Sequence, residues 1–330
     1  MGKKFEYTYT FEQCDILDKT KGEFFRNKRL EWMEWLNGDD PHAISHQVYS
    51  MLWDYALFCT INELRKIAST EPEEEVGFNG PVIRLFDVGF ATTQAISIRR
   101  IIEKPNRDPK KAVISLRTIL NDIKGNLELI TRENYVCYDG LPYDYESVRT
   151  KWLSSIPLTE GEVHAGFLPT QGPDAWVEAE RIHKNFDILA QVNPKDRARE
   201  DHIKIDVVDY LESELKECEN IKTYVDKFIA HAAAPETRGC LSNEEKRITL
   251  EKIETCLKII YQVTSFMSGL LLWESKLGGL PIPQYDHLKN LDKSWVSQNS
   301  LERARQKWDE LSQEVSEWDE TPLLPPDFTL

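Results

Sequence analysis

Leu250, Ile253, Leu257, Ile260, Thr264, Met267 and Leu271 follow one another at alternating intervals of three and four residues. Such spacing puts all of these side chains on one stripe of an α-helix, because a turn holds about 3.6 residues; a strand, with its period of two, would split them between its faces. The alternation returns in Leu301, Ala304, Trp308, Leu311, Val315 and Trp318. A third stretch, Val208, Leu211, Leu215 and Cys218, continues into Ile221, Val225, Phe228 and Ala232 after a slip of one place. Seams of this kind pack helix against helix at shallow angles. No alternating strand pattern of comparable length accompanies them. The expected fold class is therefore all-α, a multi-helix bundle of about eight main helices.

The remaining segments fill in this plan. Phe11 to Asn37 reads as a first helix with Trp32 and Trp35 near its end. Gly38 to Pro41 breaks it, with Asp40 suited to cap the next helix and Pro41 to be its first residue. Ile44, Val48, Met51, Leu52, Tyr55 and Cys59 supply that helix's apolar stripe. Glu71 to Gly80 reads as an acidic loop, Ile83 to Glu103 as a third helix, and Lys104 to Lys111 as a loop punctuated by Pro105 and Pro109. A fourth helix turns Leu116, Ile119, Leu120, Ile123, Leu127 and Ile130 inward. Residues 133–172 then break the pattern as an irregular insertion rich in Tyr, Pro and Gly, with one short helix over Tyr145 to Ser155. Asp174 to Gln191 is a further helix, followed by a charged loop to Asp201, and the tail from Pro322 is extended. We read a single helical domain over 1–330, with N-terminal helices in 1–132, the insertion in 133–172 and C-terminal helices in 173–330. The tryptophan-bearing last helix is expected either to pack on the bundle or to pair subunits.

Charge and cysteine usage narrow the functional classes. A net charge of -15 opposes broad binding to a phosphate backbone, although a local basic patch can still bind RNA. None of the six cysteines forms a Cys-x-x-Cys pair, which argues against a zinc ribbon or a redox motif. His42 and His46 lie four apart on a helix but lack a partner ligand, so neither a metal nor a cofactor is expected. Ile259 to Trp273 is the longest uncharged run, and it falls short of the roughly 20 residues a membrane-crossing helix needs. Lys3 and Lys4 are followed by no apolar run of the kind a secretory signal carries. These features point to a protein of the reducing cytoplasm with free thiols and no membrane contact.

Two places carry candidate chemistry. The first is Tyr224 to His231. On a regular helix Lys227 lies within about 40° and Tyr224 within about 20° of His231, so the three share a face. A histidine beside a cation suits proton transfer at a hydroxyl, with the cation steadying an attacked phosphate. The bland alternative is a half-buried helix histidine hydrogen-bonded to a neighbouring helix. The second place is the basic group Arg99, Arg100, Arg107, Lys110 and Lys111, read either as an RNA or phosphate contact or as a solvated helix end whose cations complement the helix dipole. The aromatics of the insertion, Tyr135, Tyr138, Tyr143 and Tyr145, suit base stacking or, more blandly, a loop that plugs the bundle.

The run Asp226-Lys227-Phe228-Ile229-Ala230-His231 resembles the end of the signature helix of HEPN-superfamily proteins (higher eukaryotes and prokaryotes nucleotide-binding), in particular the abortive-infection U-type family. Ala95 to Ile102 and Ala112 to Ile123 resemble that family's paired middle helices, and the long apolar helix after His231 fits as well. The resemblance spans residues 40–130 and 205–273. It implies a helical bundle, often a homodimer, that acts on RNA or nucleotides in abortive-infection or toxin–antitoxin systems, with an antitoxin or defence protein as partner. It implies a metal-independent ribonuclease motif of an Arg, a polar residue and a His, which meets its copy across the dimer interface. His231 then corresponds to the catalytic histidine and Asp226 to the polar residue, while the Arg position falls on Val225. Valine offers neither charge nor a fork of donors. Three arrangements follow. Lys227 or Lys222 acts as the cation, with Lys222 about opposite His231 on a regular helix. Arg99, Arg100 or Arg238 comes in from elsewhere. Or the site is degenerate and the fold binds without cutting. The resemblance together with Val225 therefore implies a binding or defence component with a degenerate nuclease site. The alternatives are an endoribonuclease using His231 as general acid and base, and a protein-interaction scaffold with no nucleotide role.

Overall fold

The computed structural model describes residues 5–70, 79–155, 168–231, 233–243, 245–274, 277–280, 282–291, 293 and 301–320. The chain divides into two compact units, Met1–Pro281 and Ile282–Leu330. The first holds α1 (Lys19–Asn37), α2 (Ile44–Ala68), α3 (Gly80–Ile101), α4 (Leu116–Gly125), α5 (Arg132–Cys137), α6 (Tyr145–Ser155), α7 (Trp176–Ala190), α8 (Ile205–Glu214), α9 (Glu219–Tyr224), α10 (Pro235–Gly239) and α11 (Leu250–Phe266). The second holds α12 (Leu301–Glu320). Among the described residues there is no strand, and extended pairing is confined to an isolated bridge between Thr131 and His202. The all-α class read from the apolar spacing is what the structure has. The acidic loop fell largely on residues 71–78, part of the insertion on 156–167, Ala232 of the apolar stripe at its own position and the extended tail on 321–330; these lie outside the described residues.

Local chemistry sets the helix ends, and several differ from the expected ones. The first helix starts at Lys19, because the Asp18 carboxylate accepts the Lys21 amide at 3.0 Å. Phe11–Gln13 is a separate 3₁₀ turn. Asp40 and Pro41 do not open α2. Asp40 instead closes a turn on itself, its side chain accepting the His42 amide at 2.7 Å and its carbonyl the Ala43 amide at 2.8 Å, so α2 begins beyond it at Ile44. The fourth helix stops at Gly125 and gives way to a 3₁₀ turn at Leu127–Leu129.

The core is built from the expected stripes. Phe25, Trp32, Met33 and Leu36 of α1 meet Ile44, Val48 and Met51 of α2, Ile98 and Ile101 of α3, Ile119 and Ile123 of α4, and Ile253, Leu257, Ile260 and Met267 of the α11 seam, all in one buried cluster. The Trp32 indole N–H donates to Asp122 at 2.7 Å, which fixes α1 on α4. The one-place slip in the C-terminal rhythm has a physical origin. Leu215, Cys218 and Ile221 are spaced by successive threes, and the backbone tightens over Leu215–Cys218 into a 3₁₀ turn, whose period is three.

Among the described residues two α-helices end in the opposite distortion, a widened π turn. After α9 it covers Val225–Ile229, and after α11 it covers Met267–Leu271. The second end is held by Arg29, which is buried. Its Nε donates to the Leu272 carbonyl at 2.9 Å, and its Nη2 to the Leu272 carbonyl at 2.6 Å and that of Trp273 at 3.2 Å. The guanidinium therefore satisfies carbonyls that a helix end leaves without partners.

The expected irregular insertion contributes to the core. Every residue of α5 is buried, and Tyr135 donates its hydroxyl to the Leu270 carbonyl. Tyr135 and Tyr138 are buried and unavailable for stacking on a base; the plug alternative describes them. Arg132, 0 % exposed, donates to Asp201 at 2.7 Å and to Asp187 at 2.8 Å. Arg197 pairs with Asp187 at 2.6 Å and Arg199 with Glu133. Buried in this network, His183 directs Nε2 to the Tyr143 carbonyl at 3.0 Å. The segment looked irregular because its residues serve ion pairs and turns instead of a periodic stripe. Gly140 and Gly172 both have φ of +81°, and Tyr9 lies against both, so a Cβ at either position meets the Tyr9 ring.

Two outcomes follow. Gly140→Ala and Gly172→Ala each combine an unfavourable φ with displacement of Tyr9, and each is expected to cost about 2 kcal/mol in urea unfolding. Burial, reinforced by the Arg132 and Arg197 charges against the opposing Tyr143 hydrogen bond, brings His183 down to about 4 from its ordinary 6.5. The folded state keeps this ring neutral while the unfolded chain protonates it, so stability is lost as pH falls from about 6.5 towards about 4. The span corresponds to roughly 3 kcal/mol. His183→Gln should flatten that part of the pH profile of unfolding.

Candidate functional site

The candidate motif lies where α9 runs alongside α3. Val225, the residue on which the expected motif's arginine position falls, is 2 % exposed and belongs to the core cluster. The next residue, Asp226, faces α3 and is clamped by two cations. Arg99 Nε approaches Oδ1 at 2.6 Å and Lys222 Nζ approaches Oδ2 at 3.0 Å. Partial burial works to raise the Asp226 pKa, but the hydrogen bonds and charges of Lys222 and Arg99 outweigh it and hold the carboxyl below its ordinary value. Arg99 also lies 3.7 Å from Glu103. The structure thus brings Arg99 and Asp226 together, as well as Lys222, which a regular helix places away from His231.

His231 is positioned differently from the expectation. The helix widens over Val225–Ile229, where the Ala230 amide bonds the Val225 carbonyl at 2.8 Å across five residues, and it ends at Ala230. His231 follows the helix end and is exposed. The shared face of Tyr224, Lys227 and His231 assumed an unbroken α-helix at about 100° per residue, and the π turn removes that assumption. Tyr224 instead stacks on Phe228 with ring centroids 4.8 Å apart. Among the described residues no hydrogen bond or ion pair reaches His231 or the Lys227 ammonium, so the half-buried, hydrogen-bonded histidine is not found either. Arg238 on α10 is half-buried, with its Nε lacking a partner among the described residues.

The basic group separates into two parts. Arg99 is neutralised by Asp226. Arg100 at the end of α3, Arg107 in the loop, and Lys110 and Lys111 in the 3₁₀ turn Pro109–Lys111 are all exposed and make no ion pair among the described residues. The loop is shaped by short polar contacts, since Asn106 Oδ1 accepts the Asp108 amide and Asp108 Oδ1 the Lys110 amide, each at 3.0 Å. Neighbouring cations are paired: Glu219 of α9 takes buried Arg117 and lies 3.9 Å from Lys104. The sequence reading missed Glu219 and undervalued Lys222. Glu219, Lys222 and Asp226, spaced by three and four, form a charged stripe, and that spacing is the signal that would have marked the face of α9 turned to the basic end of α3.

Among the described residues no group of three or more His, Cys, Asp or Glu is placed to hold a metal ion, and no helix is long and apolar enough to cross a membrane. No family model matches the chain, and no curated protein or solved structure matches it.

Asp226→Asn is expected to release Arg99 and Lys222 and to strengthen binding of a phosphate-bearing oligonucleotide, read by fluorescence anisotropy at low salt. Its stability cost at neutral pH should stay under about 1 kcal/mol, as for other partly exposed pairs. Because the folded carboxyl titrates below its ordinary value, the wild-type advantage should be present above the unfolded carboxylate range and disappear as pH falls through the folded value.

Proposed function

We propose that this chain is a HEPN-like binding protein of a defence or toxin–antitoxin system, working in the cytoplasm with a degenerate nuclease site. It takes RNA or nucleotide phosphates on the face formed by Arg100, Arg107, Lys110 and Lys111. The observation that carries this reading is the Arg99–Asp226 pair at 2.6 Å. Arg99, the guanidinium that α3 brings to the motif, is spent on an internal carboxylate, the Arg position holds a buried valine, and among the described residues the exposed imidazole of His231 has no charged group bonded to it. A histidine without an adjacent phosphate clamp lacks the electrostatic part of phosphoryl-transfer catalysis, whereas four exposed cations in one short segment suffice to attract a phosphate.

The test is a short single-stranded RNA in EDTA. Binding without cleavage is expected, with a dependence on salt set by the phosphates neutralised, about 0.7 per contact in the logarithmic slope. Arg100→Glu combined with Lys110→Glu should weaken binding about tenfold or more and reduce that slope, while His231→Ala leaves it unchanged. Absence of any RNA binding would sink the reading in favour of a scaffold.

One observation favours a second reading. Arg99 comes in from α3 to the residue next to Val225, so a neighbouring helix delivers the guanidinium that the motif lacks. In that case His231 takes the proton of the ribose 2′-hydroxyl, the 2′-oxygen attacks the phosphorus, and the 5′-oxygen leaves as the bond to phosphorus breaks, taking the proton back from the imidazolium and giving a cyclic phosphate end. Metal-independent cleavage lost in both His231→Ala and Arg99→Ala would establish this reading and overturn the first.

A further inference from the structure

The helix α12 forms the main element of the second unit and presents an apolar seam to solvent. Leu301, Ala304, Trp308, Leu311 and Val315 lie on one stripe, and Trp308 is 75 %, Leu311 45 % and Val315 52 % exposed. An indole so exposed, flanked by aliphatics at heptad spacing, is the pattern of a helix that buries its seam against another helix. The charges along α12 say what that other helix is. Residues 303–307 carry Arg303, Arg305 and Lys307 and no acid. Residues 309–320 carry Asp309, Glu310, Glu314, Glu317, Asp319 and Glu320 and no cation. A helix divided in this way is complementary to itself turned end for end.

We propose that α12 pairs with α12 of a second copy of this chain in an antiparallel coiled coil. The side-chain sizes lead to the same arrangement as the charges. Antiparallel pairing sets Trp308 against the second copy's Leu311 and Ala304 against the second copy's Val315, so each layer receives compatible bulk. Parallel pairing sets indole on indole in one layer and Ala304 on Ala304 in the next, crowding the first and leaving the second underfilled. Flanking the Trp308–Leu311 layer, Lys307 meets the second copy's Glu314 twice over by symmetry. The same two positions in a parallel pair face a serine and an aspartate. Lys307 lies 3.1 Å from Glu310 of its own helix, in an exposed pair that contributes little and leaves the ammonium free to turn. The proposal does not depend on RNA binding.

The experiment uses the full chain in light scattering and analytical ultracentrifugation over a concentration series. The mass should rise with concentration from one to two times 38.4 kDa. Trp308→Glu should weaken association by about 30-fold or more, as removal of a central aromatic anchor does. Lys307→Glu and Glu314→Lys should each weaken it, and the double variant Lys307→Glu/Glu314→Lys should restore it, because the swapped charges meet again across an antiparallel pair. The charge variants leave the apolar seam untouched, so a folding defect at Trp308 would not obscure the answer. A monomer at every concentration, the outcome if the seam packs on its own bundle, overturns the proposal. So does a dimer indifferent to Trp308→Glu, or a charge swap that fails to restore association.

Discussion

Arg132 is a buried guanidinium around which the approach to the candidate site is organised. A charge taken out of water is costly unless carboxylates and hydrogen bonds meet it, and here Asp201 and Asp187 meet it from two different segments. Its amide donates to the Asp201 carbonyl at 2.8 Å, and the next amide, of Glu133, to the Arg199 carbonyl at 3.1 Å. The Ile203 amide returns a bond to the Ile130 carbonyl at 3.3 Å. These bonds fix the junction of α4 and α5 on the loop that leads into α8. From α8 the chain passes through the 3₁₀ turn into α9 and the motif, so the position of Asp226 against α3 rests on ionic contacts far from it in sequence.

The fold class was legible because its signal is repeated. One stripe at alternating threes and fours is suggestive, and several leave no room for a sheet. What could not be read were the places where a polar side chain outranks the period. Asp40 has the chemistry of a helix cap but uses it to close a turn. Arg132, Glu133 and Arg199 hold a segment in the core that lacks apolar periodicity and therefore looked like an insertion. At the candidate site, Asp226 was legible as the polar residue of the resembled motif, and Arg99 as one of three arginines able to come in from elsewhere in the fold. Their bond was not legible, because it links residues 99 and 226 across two helices. The position of His231 was misread for another reason. A face drawn at about 100° per residue assumes a regular helix, and nothing in Val225 to Ile229 announces that the turn widens.

Charge has different local consequences in this acidic chain. Around Asp226 and Glu219 the cations are matched: Arg99 and Lys222 by Asp226, Arg117 and Lys104 by Glu219. These pairs are partly shielded and orient α9 on α3 and α4. Arg100 at the end of α3, and Arg107, Lys110 and Lys111 beyond it, stand in water without ion-pair partners among the described residues. The protein therefore separates cations that hold structure from cations available to a ligand, over a distance of only a few residues along the chain.

The widened turn at Val225–Ile229 encloses one residue more than an α-helical turn, so everything after it is out of phase with the helix before it. Deleting a single residue from that turn would restore the α-helical period and swing the following side chains by about 100° around the axis. The imidazole's direction is thus a matter of one residue's worth of length. A lineage that gained or lost one of the turn's residues other than the buried Val225 would change how the chain leaves α9 towards His231 while keeping the core residues as they are.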